Sequence, residues 1–264
     1  MNKNCDILII DDEQLIIDSV QKIVSFENIS VDYALTAFEA LDKMKENEYK
    51  LIFTDIMMPE MDGFQLLEKM RLAKIESPVV MSTGYSTDEN AIRALQDGAL
   101  AFIPKPFDID ELISVIRRGL KFGELQNKAK SDDSSSIAYV PCPSTYYRLG
   151  YTSWIRFDGE GIIAIGITDC FLKTLTKISE IEFLNADNKV FQGTPYAKFI
   201  DENELPNQVL SPLSGTIIQS NEELKINIPL VEKDPYFDGW IYKIIPSDLD
   251  TELKKLTPCS SDRL

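Results

Sequence analysis

The chain has 264 residues, of which 44% are apolar and 27% charged, with 27 lysines and arginines against 43 aspartates and glutamates, a formal net charge of −16. Such figures fit a globular protein of about two domains whose surface repels nucleic-acid phosphates and anionic membranes. There is no histidine, which excludes a histidine base, phosphocarrier or metal ligand within the chain.

Cys5, Cys142, Cys170 and Cys259 are scattered, without a C-x-x-C pair, so neither a zinc site nor a disulfide framework is expected. Apolar runs such as "ILII" and "GIIAIGI" are too short to span a bilayer. The opening "MNKNCDILII" lacks the features of a secretory peptide, so a cytoplasmic location is expected.

Along the first half, short apolar runs at 5–10, 29–34, 50–55, 78–82 and 100–103 predict five strands. Helical spacing separates them. Ile16, Ile17, Val20, Ile23 and Val24 share one face of the first helix. "TAFEALDKMKENE" opens on a threonine cap with a glutamate three residues on, the pattern of a capping box. Asp108 or Asp110 caps the last helix, which carries Leu112, Ile113, Val115 and Ile116. Strands alternating with helices imply a doubly wound parallel sheet, an α/β fold covered on both faces.

From about residue 124 to 145 the text "QNKAKSDDSSSIAYVPCPST" is polar, serine-rich and punctuated by proline, as a linker is. Beyond it, "WIRFDGEGIIAIGI" predicts a hairpin turning at Asp158–Gly161, with further strands at 178–184, 196–200, 208–211, 215–220 and 240–245. The expected division is 1–123, a linker, a mainly β domain over 146–257, and a tail over 258–264.

In open parallel sheets the reactive edge lies beyond the carboxyl ends of the strands. Here the first strand ends on Asp11 and Asp12, the third on Asp55, the fourth on Ser82 and Thr83, and the fifth on Lys105. Paired aspartates after a strand are, taken alone, equally a helix cap in a solvated loop. Converged on one edge, carboxylates suit a hard divalent cation such as Mg²⁺. A carboxylate beside that ion can accept a phosphoryl group, with Lys105 and Thr83 contacting its oxygens.

"IDDE", "TDIMMPEMDG", "MSTGY" and "FIPKPF" together make residues 5–122 resemble the receiver domain of two-component response regulators, a flavodoxin-like fold. That resemblance implies Asp55 as phosphoacceptor, and Mg²⁺ held by Asp12, by Asp11 through water, by Asp55 and by the backbone carbonyl of Met57. It implies Thr83 and Lys105 at the phosphoryl group, Phe102 as the switch aromatic, and a cis Lys105–Pro106 bond. The phosphoryl donor would be a sensor histidine kinase or a histidine phosphotransfer protein, docking on the first helix around Leu15. A homodimer through the receiver is a further expectation. Met57 and Tyr85, two residues beyond Asp55 and Thr83, are bulky and poor bases. They predict a phosphoryl lifetime of hours, from a barrier raised by about 2–4 kcal/mol.

After the linker there is no basic helix or stripe and no triad, so neither a nucleic-acid reader nor a hydrolase is expected. "YTSWIRFDGEGIIAIGITDCFLKTL", "SPLSGTIIQSNEEL" and "DPYFDGWIYKIIPSD" resemble the glycine cleavage H-protein, a lipoyl-type β-sandwich, over about residues 146–256. That family carries lipoate on a hairpin lysine. Counting back from "SPLSG" places the lysine position at Glu204, which cannot form the amide, so no lipoate is expected. Asp201, Glu202 and Glu204, near Pro206, would make an acidic tip on a module that binds an unidentified protein. The alternative is a phosphorylation-regulated lipoyl carrier using Lys198. In the first reading the chain is a switch and adaptor rather than an enzyme.

Overall fold

The structure is a computed structural model, and it describes residues 5–130 and 138–263. The chain divides into two compact units, Met1–Thr87 with Asp97–Asn127, and Asp88–Gln96 with Lys128–Leu264. The first half alternates β1 Ile7–Ile10, α1 Gln14–Ser25, β2 Val31–Ala34, α2 Ala37–Glu46, β3 Leu51–Asp55, α3 Gly63–Leu72, β4 Val79–Thr83, α4 Asp88–Gln96, β5 Ala101–Pro104 and α5 Ile109–Lys130. Its five strands pair in parallel in the order β2-β1-β3-β4-β5.

The three inner strands β1, β3 and β4 are short runs buried on both faces, which is why they read as continuous apolar sequence rather than as alternation, whereas the edge strands β2 and β5 are only partly covered. Ile7, Ile9, Leu51, Phe53, Val80, Ala101 and Ile103 form one core with Ile17, Val20 and Val24 of α1 and Leu112, Val115 and Ile116 of α5. The opposite side chains, Leu8, Ile10, Ile52, Val79 and Met81, are equally buried. Thr36 caps α2 by accepting the Glu39 N–H. The return bond of the expected capping box lands one residue early, on the Leu35 N–H. The last helix starts at Ile109, which leaves Asp108 flanking it and Asp110 in its first turn.

Both flanks of the segment expected as a linker over 124–145 carry structure. Helix α5 continues through Lys130, because Phe122 and Leu125 carry its buried face onward. At the other end Val140 is already tied down, its N–H donating to Asp169 and its carbonyl accepting from the Tyr236 hydroxyl. The serine-rich centre of the expected linker, residues 131–137, lies outside the described residues.

The second half carries β6 Tyr147–Leu149, β7 Ser153–Phe157, β8 Ile163–Ile167, α6 Asp169–Leu172, β9 Ile178–Phe183, β10 Lys189–Val190, β11 Pro195–Asp201, β12 Pro206–Leu210 and β13 Gly215–Ser220. Then follow α7 Glu222–Ile226, α8 Leu230–Lys233, β14 Tyr242–Pro246, α9 Leu249–Glu252 and β15 Thr257–Pro258. Among the described residues these strands make a seven-stranded sheet, β10-β13-β14-β8-β7-β6-β15, and a three-stranded sheet, β12-β11-β9. Ile155, Ile165, Ile217 and Ile244 from the first and Ile181, Phe199 and Val209 from the second share one core. The predicted hairpin is β7–β8, its turn spanning Gly159, Glu160 and Gly161, all at positive φ.

On the other face of the seven-stranded sheet, Trp154 packs with Tyr146 and Tyr236 and donates to the carbonyls of Ile167 and Pro235. Gly166 makes room for it, since a Cβ there would stand 2.3 Å from the indole ring. The expected tail is part of this unit. β15 pairs with β6, and Cys259 behind it is fully buried.

Candidate functional site

The parallel register brings the ends of β1, β3, β4 and β5 to one edge. Asp11 follows β1 directly and is 1% exposed, its carboxylate accepting the Glu13 N–H at 3.0 Å. Asp12 points to solvent. Asp55 closes β3 and is buried. Lys105, just past β5, reaches both carboxylates, with Nζ 2.7 Å from Asp11 Oδ2 and 2.6 Å from Asp55 Oδ1. The other Asp55 oxygen accepts the Met57 N–H. The Lys105–Pro106 bond is cis, and the Lys105 N–H donates to the Thr83 carbonyl at 2.8 Å.

Burial raises the Asp11 carboxyl above the usual range, helped by the neighbouring Asp55 charge and only partly opposed by Lys105 and the Glu13 N–H. Burial alone would lower Lys105, but its hydrogen bonds to Asp11 and Asp55 outweigh that and raise it. One ammonium thus serves two buried carboxylates, while Asp12, next along the chain from Asp11, is exposed. Among the described residues no three acidic or thiol side chains already stand together as a metal-holding group.

The "PEMDG" turn is what lets the next helix start here. Asp62 caps α3 through a reciprocal pair with Gln65. A Cβ at Gly63 would lie 2.6 Å from the Asp55 carbonyl, so only glycine allows that approach. Thr83 ends β4, its hydroxyl accepting the Tyr85 N–H at 3.1 Å. Phe102 lies in β5 opposite Met81, half-buried. Met57 and Tyr85 are exposed. Sequence reasoning placed Ser82 and Thr83 together at the end of the fourth strand and gave a role only to Thr83, yet Ser82 is the β4 residue paired with Asp55. Period-two alternation from Val80 would have found it.

In the second unit, Glu204 sits exposed at the β11–β12 turn with φ +63°. Asp201 is not part of an acidic tip. It is buried, and its carboxylate accepts the N–H groups of Asn203 and Leu205 and the Thr176 hydroxyl. The exposed acids at the turn are Glu202 and Glu204. Lys198 lies inside β11, between Glu182 and Gln208, with its ammonium 2.8 Å from Glu182.

Residues 7–117 match the response regulator receiver domain family, and residues 145–261 match the glycine cleavage H-protein family. The chain joins a receiver domain to an H-protein-like domain. Response regulator Rre1 of Synechocystis sp. is 37% identical over 52% of this chain and 59% of its own length. The uncharacterized transcriptional regulatory protein YkoG of Bacillus subtilis is 32% identical over 48% of this chain and 54% of its own. The chain therefore spans little more than half the length of these curated relatives. Among solved structures, a CheY-like receiver domain protein from Methanospirillum hungatei is 36% identical, covering 47% of this chain and 99% of that one, with a TM-score of 0.44. No helix among the described residues is long and apolar enough to cross a membrane.

Proposed function

We propose that the receiver domain accepts a phosphoryl group on Asp55 and thereby gates a protein-binding H-like domain that carries no lipoate. The observation that supports this most is the Lys105 ammonium held between Asp11 and Asp55 at the strand ends. In the transfer, an Asp55 oxygen attacks phosphorus on an external phosphohistidine. A P–O bond forms, the P–N bond breaks, and its electron pair leaves on the imidazole, which takes a proton from water. Because this chain has no histidine, the donor is another molecule, a sensor kinase or phosphotransfer protein. Leu15, 74% exposed on α1, offers it an apolar contact.

Asp11, Asp12, Asp55 and the Met57 carbonyl would supply an all-oxygen donor set, and Lys105 alone does not neutralise the two buried carboxylates, which fits Mg²⁺. When bound, Mg²⁺ would supply charge neutralisation for the phosphoryl oxygens. Lys105 and Thr83 would contact the transferred group, and Phe102 would report it by rotating. Met57 and Tyr85 would shield it from water, giving a lifetime of hours; decay within seconds would remove that part. Net charge −16 disfavours a nucleic-acid partner, and a cytoplasmic location fits the same reading.

Acetyl phosphate with Mg²⁺ should phosphorylate the wild type and leave Asp55→Asn unmodified by intact mass. Equal labelling of Asp55→Asn would overturn the site.

A further inference from the structure

Register sets Ser82 directly beside the reactive carboxylate. Phe53 pairs with Val80 and Asp55 with Ser82, while on its other side Ser82 pairs with Ile103. Phe53, Val80 and Ile103 all point into one core. Side chains alternate faces along a strand, so the Ser82 hydroxyl lies on the face that carries Asp55 and Lys105. With parallel strands about 4.8 Å apart, Oγ stands within reach of the Asp55 side chain by a rotamer change. The hydroxyl is fully buried, yet Oγ bonds to no protein group. A buried hydroxyl without a partner destabilises a fold, and an apolar side chain of similar size would avoid that cost.

Asp55 supplies a reason to keep it. At rest both carboxylate oxygens are satisfied, one by the Lys105 ammonium and one by the Met57 N–H. Once Oδ2 takes the phosphoryl group, it bridges to phosphorus, and Oδ1, the oxygen facing Lys105, becomes the carbonyl. The new phosphoryl oxygens carry more charge than that carbonyl and compete for the same ammonium. As Lys105 turns to them, the Oδ1 carbonyl loses its ammonium donor and has a lone pair to spare beside the one that Mg²⁺ would take. We infer that Ser82 Oγ then donates to it. Ser82 is thus a positioning residue of the phosphorylated state, making a bond that is absent at rest. This rests on the reading of Asp55 as phosphoacceptor.

The test is beryllofluoride binding to the full chain with Mg²⁺, followed by titration calorimetry, alongside thermal unfolding without ligand. The wild type should bind and Asp55→Asn should not. Ser82→Ala should bind about three- to tenfold more weakly, with its ligand-free unfolding midpoint unchanged or raised, since an unpaired hydroxyl has gone. Ser82→Cys, close in size but a poorer donor, should fall between them. Equal affinity in wild type and Ser82→Ala overturns the inference, as does a loss of affinity matched by a loss of ligand-free stability. A wild type that fails to bind, or an Asp55→Asn that binds equally, overturns the Asp55 reading instead.

Discussion

Lys105 is 12% exposed, so it is a buried counter-ion rather than a surface contact. Removing it in Lys105→Ala strands two carboxylates in the protein, which should cost about 3–5 kcal/mol at neutral pH. The Asp11 carboxyl, already raised by burial, would then bind its proton more tightly folded than unfolded. The folded state would hold the extra proton, so stability should rise as pH falls from 7 toward 5, the reverse of a paired carboxylate. Urea unfolding at the two pH values checks this; a variant less stable at pH 5 than at pH 7 would contradict it. Asp6 illustrates the paired case. Burial raises its carboxyl, but the Lys50 ammonium and the Ser30 hydroxyl and N–H outweigh that and bring it to about 2. Its folded value lies below the unfolded one, so its contribution is full above pH 4 and disappears as pH falls toward 2. Asp6→Asn should lose about 1 kcal/mol at neutral pH, allowing for solvent screening, and show a flatter acid limb below pH 4.

At the scale of elements, the start of α3 is set by one missing methyl. Gly63→Ala would drive a Cβ against the Asp55 carbonyl and push the β3 end away from α3. The expected loss is about 1–3 kcal/mol, with a weaker response to acetyl phosphate because Asp55 itself moves. Chemical denaturation and intact mass report the two effects separately. The β11–β12 turn depends likewise on Asp201, whose carboxylate holds the N–H groups of Asn203 and Leu205. Asp201→Ala should destabilise the H-like domain by about 1–3 kcal/mol by leaving those donors and the Thr176 hydroxyl without their acceptor.

At the scale of the whole molecule, a receiver domain and an H-protein-like domain share one chain, and Glu204, exposed at the β11–β12 turn, is proposed to stand where the family carries its lipoyl lysine. Lys198, the other lysine considered for an arm, is flanked by two strands and engaged by Glu182. Incubation with lipoate, ATP and a lipoate ligase should therefore leave the mass of the full chain unchanged. A lipoyl adduct on Lys198 would reinstate the carrier reading.

Much of this was legible in the residue order alone. Short apolar runs, helical spacing and the acids and lysine at strand ends are local patterns, and the five parallel strands and the hairpin at Asp158–Gly161 followed from them. Serine-rich text does not show that Phe122 and Leu125 are buried on the helix before it or that Val140 after it meets Asp169. Only tertiary pairing decided which charges share Lys105, since Asp11 lies 94 residues away along the chain and Asp55 lies 50. The same pairing buried Asp201 under its own turn and set Ser82 beside Asp55. Periodicity says which face a side chain takes; strand register, which sums contacts across the sheet, says what it meets there.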